Sequence, residues 1–181
     1  MKLDTTSLGN AVRRLREGLT RHQSEPGDEQ LRDGLIQRFE FTYELCHKML
    51  RRYLKETAAS PDEVDRLPFA DLIRTGNAQG LLRSGWPAWR RFREMRARTG
   101  HTYDAKVASQ VASAIPAFVE EAEHLFTELQ RRLACRDRCL SICRRITGWC
   151  SISFGRSPQR TRKWAFGSRA TGRARRYSDL D

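Results

Sequence analysis

No run of 18 apolar residues occurs anywhere in the 181 residues, so no membrane-spanning helix is expected. No segment alternates apolar and polar residues with period two, which removes the ordinary signature of half-buried strands. Histidine is scarce: there are four, and none lies beyond His124. The five cysteines are an odd number and no apolar N-terminal segment precedes them, which points to a reduced, cytoplasmic protein without a signal peptide. Four of them, Cys135, Cys139, Cys143 and Cys150, have the spacing C-x3-C-x3-C-x6-C. That spacing suits no common zinc motif, and the surrounding stretch holds no histidine to complete one. No metal and no cofactor is therefore expected.

What the chain does have is positive charge, unevenly placed. Residues 1–133 hold 22 Lys and Arg against 19 Asp and Glu, a balance of +3, whereas residues 134–181 hold 12 against 3, a balance of +9. The composition also changes near Leu133, from helical periodicity to a stretch rich in Arg, Ser, Gly and Cys with no sustained apolar stripe. A segment with so little to bury is expected to be poorly ordered. Two parts follow: a folded unit over 1–133 and a basic tail over 134–181. Such a tail would hold nucleic acid without specificity and lose it as salt rises.

The first part reads as helices. Leu8, Val12, Leu15 and Leu19 share one helical face, and "SEPGDE" ends it. Leu31, Leu35, Phe39, Thr42, Cys46, Met49 and Tyr53 predict a long second helix from Asp28 to Glu56, about 40 Å at 1.5 Å per residue. Ser60 followed by Pro61 opens a short helix that Pro68 interrupts or redirects, and Gly76, Gly80 and Gly85 mark a loop. Trp86, Trp89 and Phe92 line a fourth stretch ending at Gly100. Val107, Val111, Ile115, Phe118, Ala122, Leu125 and Leu129 give the last helix a core stripe. The expected fold is all-α, an antiparallel up-and-down four-helix bundle with a short extra helix between the second and fourth stretches.

The polar cluster richest in chemistry is "MRARTGHTYD". Arg96 is seven residues after Trp89, on the inward face of its helix, unlike Arg90, Arg91, Arg93 and Arg98. His101 follows the Gly100 break, in the turn or at the start of the next helix. A guanidinium holds an anionic transition state with fixed charge, and an imidazole titrates near neutral pH as a general acid or base must. The plain alternative for such a pair is a helix cap and a surface cation. Phe39, Phe41, Tyr43 and Tyr53 fit core and dimer packing better than a base-stacking platform. Glu40 and Glu44 fit a solvated helix face better than a metal site, and His47 fits a helix surface.

"RDGLIQRFEFTYEL", Arg32 to Leu45, together with the Arg-x4-His-x-Tyr pattern of Arg96, His101 and Tyr103, resembles the nucleotidyltransferase substrate-binding proteins, the HepT-like branch of the HEPN superfamily. The resemblance covers roughly residues 3–132. It implies a helical bundle that forms a homodimer about a two-fold axis, with the motifs of both protomers facing one cleft. In ribonuclease members that cleft cuts RNA without metal. The implied roles are phosphate stabilisation by Arg96 and acid/base work by His101. Tyr103 is implied as the residue to which a partner minimal nucleotidyltransferase attaches AMP, silencing the toxin of a toxin-antitoxin pair. An alternative within the family is a non-catalytic substrate-binding subunit of a bipartite nucleotidyltransferase. Two departures stand out. Ala97 replaces a residue that is usually polar and could hydrogen-bond in the site, and Cys46-His47 replaces an Ala-Trp pair.

The ending, "GSRATGRARRYSDLD", resembles the G-S-x10-D-x-D signature of the minimal nucleotidyltransferases. Gly167 and Ser168 would hold triphosphate, and Asp179 and Asp181 would bind metal. The fragment lacks the strands and third carboxylate of a working site, so no nucleotidyl transfer by this chain alone is expected. A frame slip joining two neighbouring genes would produce the pattern, and sequencing the locus tests it: an intact nucleotidyltransferase frame well downstream, without overlap, would sink the idea.

Overall fold

A computed structural model of the protein describes residues 3–101 and 104–147, with His101 and residues 137–147 described through the backbone. Six α-helices run through it: α1 (Thr6–Ser24), α2 (Glu29–Thr57), α3 (Pro61–Arg66), α4 (Phe69–Ala78), α5 (Trp86–Arg98) and α6 (Ala105–Thr147). A single 3-10 turn, Thr99–His101, joins α5 to α6. Among the described residues there is no strand, and no helix is long and apolar enough to cross a membrane. The all-α bundle expected from periodicity is the fold observed, with α1, α2, α5 and α6 as its long members.

The helix starts and stops follow local chemistry. Asp28 caps α2 because its carboxylate accepts from the backbone N–H of Gln30 (2.8 Å) and Leu31 (3.1 Å), two donors that a helix start leaves unpaired. Ser60 stands at the corresponding place before α3, but its hydroxyl makes no cap bond. Pro68 does redirect the chain. Leu67 is held extended at ψ 129°, as a residue before proline prefers, and a further helix starts beyond it.

The insertion between α2 and α5 is therefore two helices, where one was expected. Gly76, expected in a loop, lies inside α4, where a Cβ would come within 2.9 Å of the Leu50 side chain, so glycine lets α4 approach α2. Gly80 ends the helix at φ 69°, with its N–H on the Asn77 carbonyl (2.8 Å) and the Leu81 N–H on the Gly76 carbonyl (2.9 Å). Those two bonds satisfy carbonyls that the helix end would otherwise orphan.

The core forms where α1, α2, α5 and α6 meet. Leu8, Val12, Leu15 and Leu19 are buried as their spacing predicts, and so are Val111, Ile115, Phe118, Ala122, Leu125 and Leu129 of α6. On α2 the buried face is wider than the stripe read from the sequence, because α1 covers one side and α6 another. Ile36, Tyr43, Leu50 and Leu54 join Leu35, Phe39, Thr42, Cys46 and Met49. At the centre sits Trp89, fully buried, among Phe92, Phe118, Tyr43 and Phe69. The Phe39 and Phe118 rings meet edge to face at 4.9 Å.

One carboxylate is buried with this core. Glu121, 1 % exposed, accepts from the indole Nε1 of Trp89 (3.1 Å) and from the Ser84 backbone N–H (3.0 and 3.1 Å). It ties α6 to the segment that launches α5, and so fixes where α5 starts.

The helical order continues past the composition change at Leu133. The backbone of α6 runs on through residues 134–147. Just before that stretch Arg131 pairs with Glu128 of the same helix at 2.7 Å, and within it Arg136 reaches Glu56 of α2 at 3.5 Å. The remainder of the basic tail lies outside the described residues, and with it the nucleotidyltransferase-like set of Gly167, Ser168, Asp179 and Asp181.

Candidate functional site

The site is assembled at the C-terminal end of α5, where that helix crosses α2. Burial of Trp89 and Phe92 orients α5, and Arg96, seven and four residues further on, falls at the edge of the same face. Its side chain is 36 % exposed, neither core nor free surface. Two carboxylates of α2 receive it. Arg96 Nη1 lies 2.9 Å from Glu40 Oε1, and Arg96 Nε lies 3.5 Å from Glu44 Oε1. The Nε contact is an ion pair without hydrogen-bond geometry, since Nε is buried and makes no hydrogen bond. Thr99, only 7 % exposed, closes the arrangement. Its hydroxyl lies against the Glu40 carboxylate and 2.8 Å from the Arg96 carbonyl, and it is 3.4 Å from Arg96 Nη1.

Three residues were therefore missed when the chain was read linearly. Glu40 and Glu44, expected to be a solvated pair, are the ion-pair partners of the motif arginine. The available signal was their i,i+4 spacing, which puts both on one face of α2; only packing showed that α5 lies across it. Thr99 supplies a hydroxyl beside the arginine that Ala97, which is exposed, does not. The polar neighbour expected directly after Arg96 is thus replaced three residues on.

A second row of groups runs alongside. Arg93 stacks over the Phe69 ring at 5.2 Å, and the His47 ring meets the same ring edge-on at 5.1 Å. His47 is half-buried, where a surface position was expected, and its Nε2 is enclosed without a hydrogen-bond partner. Burial holds its pKa below the usual imidazole value, and the nearby Arg51 charge pushes the same way. Of the aromatic set, Phe39 and Tyr43 are core and Tyr53 packs against it, but Phe41 is 61 % exposed and takes no part in the core. Burial raises the Tyr43 phenol to about 12.

The backbone places His101 at the end of the 3-10 turn that Thr99 begins, five residues past Arg96. Tyr103 lies outside the described residues. Asp104 then starts α6 by accepting from the Lys106 N–H at 2.8 Å. Among the described residues no three of His, Cys, Asp and Glu come together as a metal site would require. The chemistry on display is thus that of a fixed guanidinium flanked by carboxylates, on the chain segment that leads to an imidazole.

Comparison with known proteins agrees with this architecture. The sequence model of a family described as "Nucleotidyltransferase substrate binding protein like" matches residues 3–131. A curated protein of Haemophilus influenzae, "Probable ribonuclease HepT", is 37 % identical over 99 residues, which is 55 % of this chain and 67 % of that protein. A solved structure from Haemophilus influenzae, described as revealing the fold of a substrate binding domain of a nucleotidyltransferase, matches with a TM-score of 0.66 and 30 % identity. The match covers 70 % of this chain and 99 % of the solved one.

Proposed function

The chain belongs to the nucleotidyltransferase substrate binding protein like family, and from that membership we propose that it is the helical subunit of a two-component HEPN and minimal nucleotidyltransferase system of toxin-antitoxin type. In this reading it acts as a metal-independent endoribonuclease. The observation that carries the proposal is the held guanidinium of Arg96, half-exposed between Glu40, Glu44 and Thr99, on the segment that continues to His101. Arg96 stabilises the phosphate as charge builds on its oxygens, and His101 moves the proton. The relative named as a probable ribonuclease supports the same chemistry.

In this reading the active form is a homodimer, with one composite cleft holding both copies of the motif. Phe41, one residue from Glu40 and largely exposed, is the apolar side chain that a second protomer would cover. Tyr103, two residues past His101, is the acceptor of AMP from the nucleotidyltransferase partner, and its modification silences the cleft. The protein works in the cytoplasm on RNA.

The full chain, purified as a dimer, is expected to cut RNA in the presence of EDTA and to lose that activity in Arg96→Ala and His101→Ala. A second reading is favoured by one feature: two carboxylates compete with any phosphate for Arg96. In that reading the chain is a non-catalytic substrate-binding subunit. Stable binding to the nucleotidyltransferase without RNA cleavage, with and without EDTA, would select it.

A further inference from the structure

Cleavage of RNA without metal proceeds by attack of the ribose 2′-oxygen on the adjacent phosphorus, and it needs two proton transfers at once. One group takes the 2′-hydroxyl proton while another gives a proton to the departing 5′-oxygen, on the opposite side of the phosphorus. A single imidazole cannot stand on both sides, so the second group is either the imidazole of the other protomer or a carboxylate already beside Arg96. We propose that Glu44 is the general base of this site, taking the 2′-hydroxyl proton, with His101 as the general acid. This rests on the ribonuclease reading above and adds a catalytic residue to it.

The two carboxylates beside Arg96 differ in what they have left to offer. Glu40 Oε1 is shared between Arg96 Nη1 and the Thr99 hydroxyl, both close enough to hold it in place. Glu44 pairs with Arg96 Nε at 3.5 Å, without a hydrogen bond, and its side chain is 44 % exposed. A carboxylate accepts at about four lone-pair positions, so Glu44 keeps open ones for a substrate hydroxyl. Glu40 is then the positioning residue for the guanidinium. The guanidinium that binds the scissile phosphate also lies against the base, and the 2′-hydroxyl is on the sugar carbon next to the one bearing that phosphate. Docking the phosphate on Arg96 brings the hydroxyl to the carboxylate.

The step balances without any co-reactant. The 2′-hydroxyl proton passes to Glu44, the 2′-oxygen forms a bond to phosphorus, and the bond from phosphorus to the 5′-oxygen breaks as that oxygen takes the proton of the His101 imidazolium. The products are a 2′,3′-cyclic phosphate and a 5′-hydroxyl.

The test uses the full chain and two matched oligoribonucleotides, one normal and one with sulfur in place of the 5′-bridging oxygen at the cut. A sulfur leaving group departs without a proton, so it relieves the need for the acid and not for the base. Glu44→Gln is expected to lower kcat by roughly 10²- to 10⁴-fold on both substrates, the usual share of a general base. His101→Ala should lose as much on the normal substrate and recover on the sulfur one. Added formate should restore Glu44→Ala and leave Glu40→Ala unrestored, because only the first lacks a base.

Glu44 is half-exposed, so the Glu44 variants are expected to melt with the wild type. A Glu44→Gln chain within tenfold of wild type, or one rescued by sulfur as His101→Ala is, would overturn the assignment while leaving the ribonuclease reading intact. The base would then be the second protomer's imidazole. Absence of any cleavage by the wild-type chain would overturn both.

Discussion

Replacing Glu121 by methionine tests how α5 is held. The change removes an acceptor while keeping most of the volume, so it leaves one buried and one half-buried donor without their partner and makes little cavity. The donors are the Trp89 indole N–H, on a residue that is fully buried, and the Ser84 backbone N–H. An unsatisfied buried donor costs about 1 to 3 kcal/mol and the half-buried Ser84 N–H adds about 1 kcal/mol or less, so the change predicts a loss of about 2 to 4 kcal/mol. For a domain of this size each kcal/mol lowers Tm by about 3 °C, which gives a drop on the order of 10 °C. Urea unfolding followed by tryptophan fluorescence measures the loss directly.

Trp89→Phe then provides a cycle. It deletes the indole N–H, so it should cost at least about 1 kcal/mol less in the Glu121→Met background than in the wild type. A Glu121→Met chain within about 0.5 kcal/mol of wild type, with no coupling to Trp89, would refute the idea that this carboxylate fixes the start of α5.

Gly80→Ala should destabilise the chain by about 1 to 2 kcal/mol in denaturant titration, because φ 69° forces a side chain into the left-handed region. Stability should fall as pH drops from 7 toward 5. Burial holds the folded pKa of His47 below the unfolded value of about 6.5, so the unfolded chain binds the proton first. The folded state therefore loses ground as pH falls through the unfolded value toward the folded one, and His47→Phe should flatten that part of the profile. Native-state thiol titration should find Cys135, which is exposed, reacting at once, while Cys46, buried and with its thiol pKa pushed up by burial and then by the nearby Glu121 charge, reacts only on unfolding. On the alkaline side, spectrophotometric titration should show one tyrosine, Tyr43, ionising at about 12, well after an ordinary phenol.

Much of the architecture was legible along the chain because it is written in periods of three and four. The stripes of α1 and α6, the length of α2 and the redirection at Pro68 all come from local rules that hold wherever the helix is placed. The composition change near Leu133 is legible in the same way, and beyond it the backbone of α6 runs on to Thr147. Arg136, just past that change, reaches Glu56 of a different helix, a contact that no linear pattern announces. A carboxylate such as Glu121 reads as surface in any linear pattern; its burial depends on an indole and a backbone N–H that approach from α5 and the segment before it.

The candidate site divides the same way. Sequence by itself placed Arg96 on the inward edge of α5 and put His101 just past a helix break, because both follow from spacing and from glycine. Which groups Arg96 meets was decided only by the tertiary structure, since Glu40 and Glu44 lie more than fifty residues earlier on a helix whose approach depends on the packing of Trp89 and Phe92. Periodicity states which side of a helix is covered. The identity of the covering residue, and so whether a carboxylate is solvated or holds a guanidinium, is settled only by how the helices cross.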